Sequence, residues 1–218
     1  MATYAISDIH GCYSMFLRML DKIQFNEEKD TLYIIGDIMD RGPEIPQIVR
    51  WVWEHESDHV IMLKGNHEDM FASYPDPDMY EQYYRDFSAQ EIVRLLHWIP
   101  KLPSYVELTV NGIDYVLVHA GITEEILKTG KDPDDYCIWA RYEFYSGRGI
   151  PGKTIVFGHT PMMSRIVDEE IGVHIWRPKD PAVKLIGIDT GAVFARKFGG
   201  KMACLRLDDQ KEFYVYAE

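Results

Sequence analysis

Five times along this chain a short apolar run ends on polar residues beside a glycine. The clusters are Asp8-Ile9-His10-Gly11, the Gly36–Gly42 segment (Gly36, Asp37, Ile38, Met39, Asp40, Arg41, Gly42), Gly65-Asn66-His67-Glu68, His119-Ala120-Gly121 and Gly158-His159-Thr160. Apolar runs of this length bounded by turn residues read as strands. In layered α/β proteins the loops leaving strand C-termini converge on one crevice. Glycines there let the backbone turn sharply and come close to a ligand.

The segments between the clusters fit that frame. Thr3 to Asp8, Thr31 to Gly36 and His59 to Lys64 read as strands. Tyr13, Phe16, Leu17, Leu20 and Ile23 recur at helical spacing, as do Ile45, Ile48, Val49 and Val52 behind Pro43, a residue suited to a first helical turn. Strand and helix therefore alternate, which predicts an α/β fold. Residues 74–100 break the rhythm with aromatic and acidic residues and the stripe Ile92, Leu95, Leu96, Ile99; they read as a helical insertion in one catalytic domain spanning 1–218. Asn111-Gly112 between Tyr105–Val110 and Ile113–His119 predicts a hairpin. Ile138 to Phe144 reads as helix and Ser146 to Gly152 as loop. Ile155–Phe157, Lys184–Ile188, Met202–Leu207 and Phe213–Tyr216 read as strands. The second half looks rich in antiparallel pairs, so two packed sheets with helices outside are expected.

Composition narrows the function. A chain of 218 residues with 46% hydrophobic content can bury a sizeable core. No stretch reaches the roughly 20 apolar residues of a membrane span, and no signal-peptide pattern opens the chain. A soluble, cytoplasmic protein is expected, with no membrane partner. The net charge of −12 argues against general nucleic-acid binding, which needs basic surface. Three unpaired-looking cysteines, Cys12, Cys137 and Cys204, argue against a thiolate metal site or a disulfide framework.

The clusters pool Asp8, His10, Asp37, Asn66, His119 and His159. This nitrogen and oxygen donor set suits Mn²⁺ first, with Fe²⁺ or Zn²⁺ also accommodated. Six ligands exceed what one open catalytic metal needs and match two metals sharing a carboxylate. Such a pair activates water and clamps phosphoryl oxygens for in-line displacement. Arg41 can match phosphate oxygens through its planar fork. His67 can protonate a leaving group, with Asp40 orienting it.

Taken in order, DxHG, GDxxDRG, GNHE, HAG and GHT resemble the phosphoprotein phosphatase (PPP) family of metallophosphoesterases, in its compact bacterial and bacteriophage branch. The resemblance runs from Asp8 to Thr160. It implies a calcineurin-like sandwich, two mixed β-sheets flanked by α-helices. It implies Asp8, His10 and Asp37 on one metal, and Asp37, Asn66, His119 and His159 on the other. It implies Arg41 on phosphate, His67 with Asp40 as the acid pair, and Arg141 as a second phosphate-binding arginine. Ser7 stands where the family often has glycine.

Other residues read more plainly. His55, His59, His97 and His174 suit ordinary core or surface roles, and Cys12 a small packed thiol. Tyr80, Tyr83, Tyr84 and Phe87 suit packing; turn chemistry suffices for Asp189-Thr190-Gly191; Arg148 and Lys153 suit either substrate guidance or a solvated loop. The leading expectation is a phosphatase acting on protein phosphoserine and phosphothreonine through a hydroxide bridging two metals. The alternative is a symmetrical dinucleoside tetraphosphate hydrolase using the same site. Small phosphomonoesters are a further substrate class.

Overall fold

The computed structural model describes residues 1–162 and 174–217. Strands β1 (Thr3–Ile6), β2 (Thr31–Ile35) and β3 (Val60–Leu63) alternate with helices α1 (Tyr13–Ile23) and α2 (Ile45–His55). Helices α3 (Asn66–Ser73), α4 (Glu81–Asp86) and α5 (Ala89–Trp98) follow, then the hairpin β4 (Tyr105–Val110) and β5 (Ile113–Val118). Short helices α6 (Glu124–Thr129), α7 (Tyr136–Trp139) and α8 (Tyr142–Tyr145) lead to β6 (Thr154–Phe157) and β7 (Leu185–Gly187). Helix α9 (Ala195–Phe198) precedes the closing pair β8 (Lys201–Arg206) and β9 (Lys211–Tyr216).

These strands form a five-stranded sheet, ordered β3-β2-β1-β8-β9, and a four-stranded sheet, ordered β4-β5-β6-β7. Both sheets are mixed. Pairs β1–β2, β2–β3, β5–β6 and β6–β7 are parallel, while β4–β5, β1–β8 and β8–β9 are antiparallel. The second half is thus less antiparallel than its turns suggest, because β6 and β7 arrive by crossovers.

The side-chain period of a strand sorts each sheet into two faces. Tyr4, Ile6, Leu32, Ile34, Val60, Met62, Met202 and Cys204 pack outward against α1 and α2. Their neighbours Ala5, Ile35, Leu63, Ala203 and Leu205 point the other way and meet Tyr115, Leu117, Val156 and Ile186 of the second sheet. The far face of that sheet, with Val116, Val118, Ile155 and Phe157, is covered by Ile126, Cys137, Phe144 and Tyr145. The result is a helix–sheet–sheet–helix sandwich.

Some local expectations shift. Helix α1 buries Met15, Phe16, Met19 and Ile23, while Leu17 is 41% exposed. Pro43 lies ahead of α2, and Pro46 takes its first turn. The expected helix over 138–144 is two short ones broken at Ala140 and Arg141. Helix α5 is closed by a capping box in which Ser88 Oγ accepts from the Glu91 amide and the Ser88 amide donates to Glu91 (2.7 Å). No helix among the described residues is long and apolar enough to cross a membrane.

Candidate metal centre

The C-terminal ends of the parallel strands of both sheets meet at one rim. Asp8, Asp37 and Asn66 lie just beyond β1, β2 and β3; His119 and His159 lie just beyond β5 and β6. Backbone bonds tie these turns together: Asp8 N donates to Gly36 O (3.2 Å), His10 N to Asp37 O (2.9 Å) and Gly158 N to His119 O (2.8 Å). The turns are tight enough to force unusual backbone. Asp8, His10, Asp37, Asp40, Arg41 and His159 all have φ between 43° and 69°. Such conformations cost non-glycine residues energy and cluster where a site needs its side chains aimed. Gly36, at φ +76°, has a second constraint: a Cβ there would lie 2.6 Å from His119 Nδ1 and 2.7 Å from Gly65 Cα.

The donors converge in two groups that share Asp37. His10, Asp37 and His67 place ligand atoms within 4.8 Å of one another, and so do Asp37, His119 and His159. Asp37 Oδ2 stands 3.5 Å from His10 Nε2, 3.4 Å from His119 Nε2 and 3.9 Å from His67 Nε2. Asn66 Oδ1 joins the second group, 3.0 Å from His119 Nε2 and 2.9 Å from His159 Nδ1. Asp8 is buried beside them, its carboxylate bound by the Ser7 hydroxyl and by the His159 amide (3.0 Å). Ring orientation is set from behind. His10 Nδ1 donates to Met39 O (2.6 Å) and His119 Nδ1 to Ile35 O (3.0 Å), so Nε2 of each faces the cluster. His159 Nε2 is buried with no hydrogen-bond partner among the described residues. The nitrogen that His159 turns into the cluster is Nδ1, 3.2 Å from His119 Nε2, and the resulting set of imidazole, carboxylate and amide donors fits divalent first-row cations.

The electrostatics show how tightly these groups interact. Burial works against charge on Asp37, yet His119, His10 and His67 around it hold it far below the ordinary carboxylate range. Burial also opposes charge on His119, but the Asp37 carboxylate reverses this and lifts it to about 10. Burial lowers His10 to about 4 and His159 to about 2, leaving both neutral. Asp8 rises to about 6 through burial, pulled back by His119 and pushed further by Asp37.

Around the donors stand the groups expected to handle substrate. Arg41 donates from Nη1 to His10 Nε2 (2.6 Å) and from Nη2 to His67 Nε2 (2.9 Å). His67 Nδ1 donates to Asp40 Oδ2 (2.5 Å). Arg141 lies across the rim with Nη1 on Thr160 Oγ1 (2.9 Å), and Tyr145 OH bonds that same hydroxyl. Trp139, 40% exposed, sets its ring edge-on to His159 at 6.1 Å.

Three neighbours escaped the sequence reading. Glu68 is fully buried, and its carboxylate accepts from the amides of Asp37 (2.8 Å), Ile38 (2.9 Å), Met39 (3.1 Å) and Gly65 (3.0 Å). It holds the whole Asp37 turn, although burial and Asp37 push it up to about 7. Tyr83 packs with Phe71, Tyr80 and Phe87 as expected, but its hydroxyl also donates to Asp40 Oδ1 and accepts from the Asp40 amide (2.7 Å). Asp189 does form a turn, accepting from Gly191 N (2.9 Å), yet it is buried, and burial and Asp8 keep its carboxyl well above the usual range. Glu68 sits inside a motif, and that was the available signal; nothing local marks Tyr83.

Comparison with known proteins bears on this arrangement. A symmetrical bis(5'-nucleosyl)-tetraphosphatase from Chromobacterium violaceum is 32% identical over 184 residues, 79% of this chain and 61% of that protein. One from Methylobacillus flagellatus is 37% identical over 142 residues, 61% of this chain and 49% of that protein. The chain therefore spans about half to three-fifths of the curated relatives it matches. A protein serine/threonine phosphatase from Saccharomyces cerevisiae shares the fold, with a TM-score of 0.64 at 18% identity over 100% of this chain and 80% of that one. The calcineurin-like phosphoesterase family model matches residues 1–186. With its five strand-end clusters inside that match, the chain belongs to the calcineurin-like phosphoesterase family.

Proposed function

We propose that this protein is a metal-dependent hydrolase that cleaves dinucleoside tetraphosphates symmetrically, releasing two nucleoside diphosphates. The observation that carries this reading is the pair of donor groups sharing Asp37, one of them including His67, with Arg41 bridging His10 and His67, in a chain 32% identical over 184 residues to a protein named for that reaction. The sequence alone favours phosphoserine and phosphothreonine, whereas the similarity to symmetrical bis(5'-nucleosyl)-tetraphosphatases favours the dinucleotide. Likeness to the yeast phosphatase at 18% identity concerns the fold and does not favour a phosphoprotein.

In this reading Asp8, His10 and Asp37 hold one divalent cation, and Asp37, Asn66, His119 and His159 hold the other. The cations supply charge for phosphoryl oxygens and lower the pKa of water, the chemistry that metallohydrolases draw from paired metals. Arg41 and Arg141 approach the phosphoryl group from opposite sides and fix its oxygens through bidentate donors. His67, with Nδ1 anchored on Asp40, would act as the proton donor in its doubly protonated form, once Arg41 turns from its Nε2 to the phosphoryl group and frees that nitrogen for the leaving oxygen. Glu68 keeps the Asp37 turn in register by filling four backbone donors at once.

The test uses metal-stripped protein reloaded with Mn²⁺ and given diadenosine tetraphosphate beside a phosphothreonine peptide. ADP as sole nucleotide product, at a kcat/KM well above the peptide's and abolished in Asp37→Asn, is expected. Equal amounts of ATP and AMP, or a preference for the peptide, would refute it.

A further inference from the structure

The site has a neighbour. A cavity of about 560 Å³ opens between the start of α1, the turn after Asp40 and the α9 segment. That lies within the range of about 300–1,000 Å³ typical of small-ligand sites. Its wall carries the guanidinium-bearing residues Arg18, Arg41 and Arg196, with Met15, Val193 and Ala195 as apolar surface. In a chain of net charge −12, three arginines around one hollow are a local reversal of sign.

Arg41 belongs to both places. Its guanidinium reaches His10 and His67 in the metal centre, and the same residue lines the cavity. Arg18 is fixed on the far wall with Nη2 on the Tyr216 carbonyl (2.8 Å), while Arg196 is exposed on α9. Glu44 also lines the cavity, but its carboxylate is engaged by the Ser14 amide (2.9 Å) and hydroxyl and closes the start of α1. Phosphate therefore belongs on the arginine side, and the apolar surface is left for something flat and uncharged.

A dinucleoside tetraphosphate cut symmetrically has its reacting phosphorus separated from the nearer nucleoside by one phosphate and from the farther nucleoside by two. A ligand of that form must reach from the metal centre, past one phosphate, into a nucleoside site. We infer that this cavity is the subsite for the nearer nucleotide end of the substrate, with Arg41 at the reacting phosphoryl group, Arg196 on the phosphate next to the nucleoside, and the nucleoside against Met15, Val193 and Ala195. The assignment rests on the dinucleotide reading above, and the chemistry it names is a nucleoside diphosphate.

The test measures ADP binding to metal-free protein in EDTA by isothermal titration, for the wild type, Arg196→Glu and Ala195→Trp, each checked for folding by thermal melting. The charge reversal and the obstruction are each expected to weaken ADP by about tenfold or more. If Ala195→Trp does not fold, Arg196→Glu alone decides. Equal ADP affinity in all three proteins, or no ADP binding at millimolar concentration, overturns the subsite. So does wild-type kcat/KM for diadenosine tetraphosphate in both variants, an outcome that leaves the proposed function standing. ADP binding that both variants weaken, in a metal-loaded wild type that cannot hydrolyse diadenosine tetraphosphate, keeps the subsite and refutes the function.

Discussion

Tyr83→Phe removes one oxygen atom from the protein and should be felt at the proton donor. The ring itself stays in place, because Phe71, Tyr80 and Phe87 around it pack phenylalanine as readily. What is lost is the hydroxyl that donates to Asp40 Oδ1 and accepts from the Asp40 amide at 2.7 Å. A hydrogen bond to a charged group contributes about 1.5–3 kcal/mol. If that energy serves to hold Asp40 against His67, its loss corresponds to a rate reduction of about 10- to 150-fold where protonation of the leaving group limits. The assay compares two aryl phosphates on metal-loaded protein: phenyl phosphate, whose leaving phenolate is basic, and p-nitrophenyl phosphate, whose leaving group needs little help. Turnover of phenyl phosphate should fall by that factor, while p-nitrophenyl phosphate changes little and KM holds for both. His67→Asn sets the ceiling, since general acid catalysis contributes about 10²–10⁴-fold. Tyr80→Phe, in the same aromatic cluster, is the control. An equal loss on both substrates would show general damage, and no loss on either would show that Tyr83 only packs.

Other consequences are open to measurement. Gly36→Ala imposes a left-handed backbone penalty of about 1–2 kcal/mol and drives a methyl group toward His119 and Gly65, so the urea midpoint and the metal affinity should fall together; an unchanged midpoint would contradict this. Metal loading should release protons: His119, raised to about 10, is charged at pH 7.5 and must give up a proton to ligate, whereas His10 at about 4 and His159 at about 2 are already neutral. Titration calorimetry in buffers of different ionisation enthalpy should therefore report about one proton per protein from His119, beside that released by metal-bound water, with apparent affinity rising with pH until about 10. The same shift has a sign for stability: the Asp37–His119 attraction is fully present below the ordinary histidine pKa and is lost as pH passes upward through about 10. Arg141→Lys replaces a planar fork anchored on Thr160 by a point charge, and kcat/KM should drop by about tenfold or more; a wild-type value would remove Arg141 from the phosphate.

The strand-end clusters make the rim legible in the sequence, because an apolar run broken by acid, histidine and glycine is written locally. The alternation of Leu32, Tyr33, Ile34 and Ile35 likewise states which face each residue serves, and the structure splits them accordingly. What stayed hidden depends on distance along the chain. Glu68 meets amides 29 to 31 residues away in the Asp37 turn, with Gly65 its local partner. Tyr83 reaches Asp40 across 43 residues, and from sequence it looked like one more packed aromatic. The return of β8 to pair with β1 joins residues about 200 apart, which no local pattern encodes. The break between α7 and α8 was missed for another reason: apolar spacing runs through Ala140 and Arg141 even though Arg141 adopts φ −136° and ψ −121°.

The donors are divided between the two sheets. Asp8, His10, Asp37 and Asn66 come from turns of the five-stranded sheet, and His119 and His159 from the four-stranded one. The complete set consequently exists only after the sheets have docked face to face. A chain that has formed either sheet alone offers a partial, weak site. Ion capture during refolding would then mark the moment of docking, a clock for assembly that needs no added label.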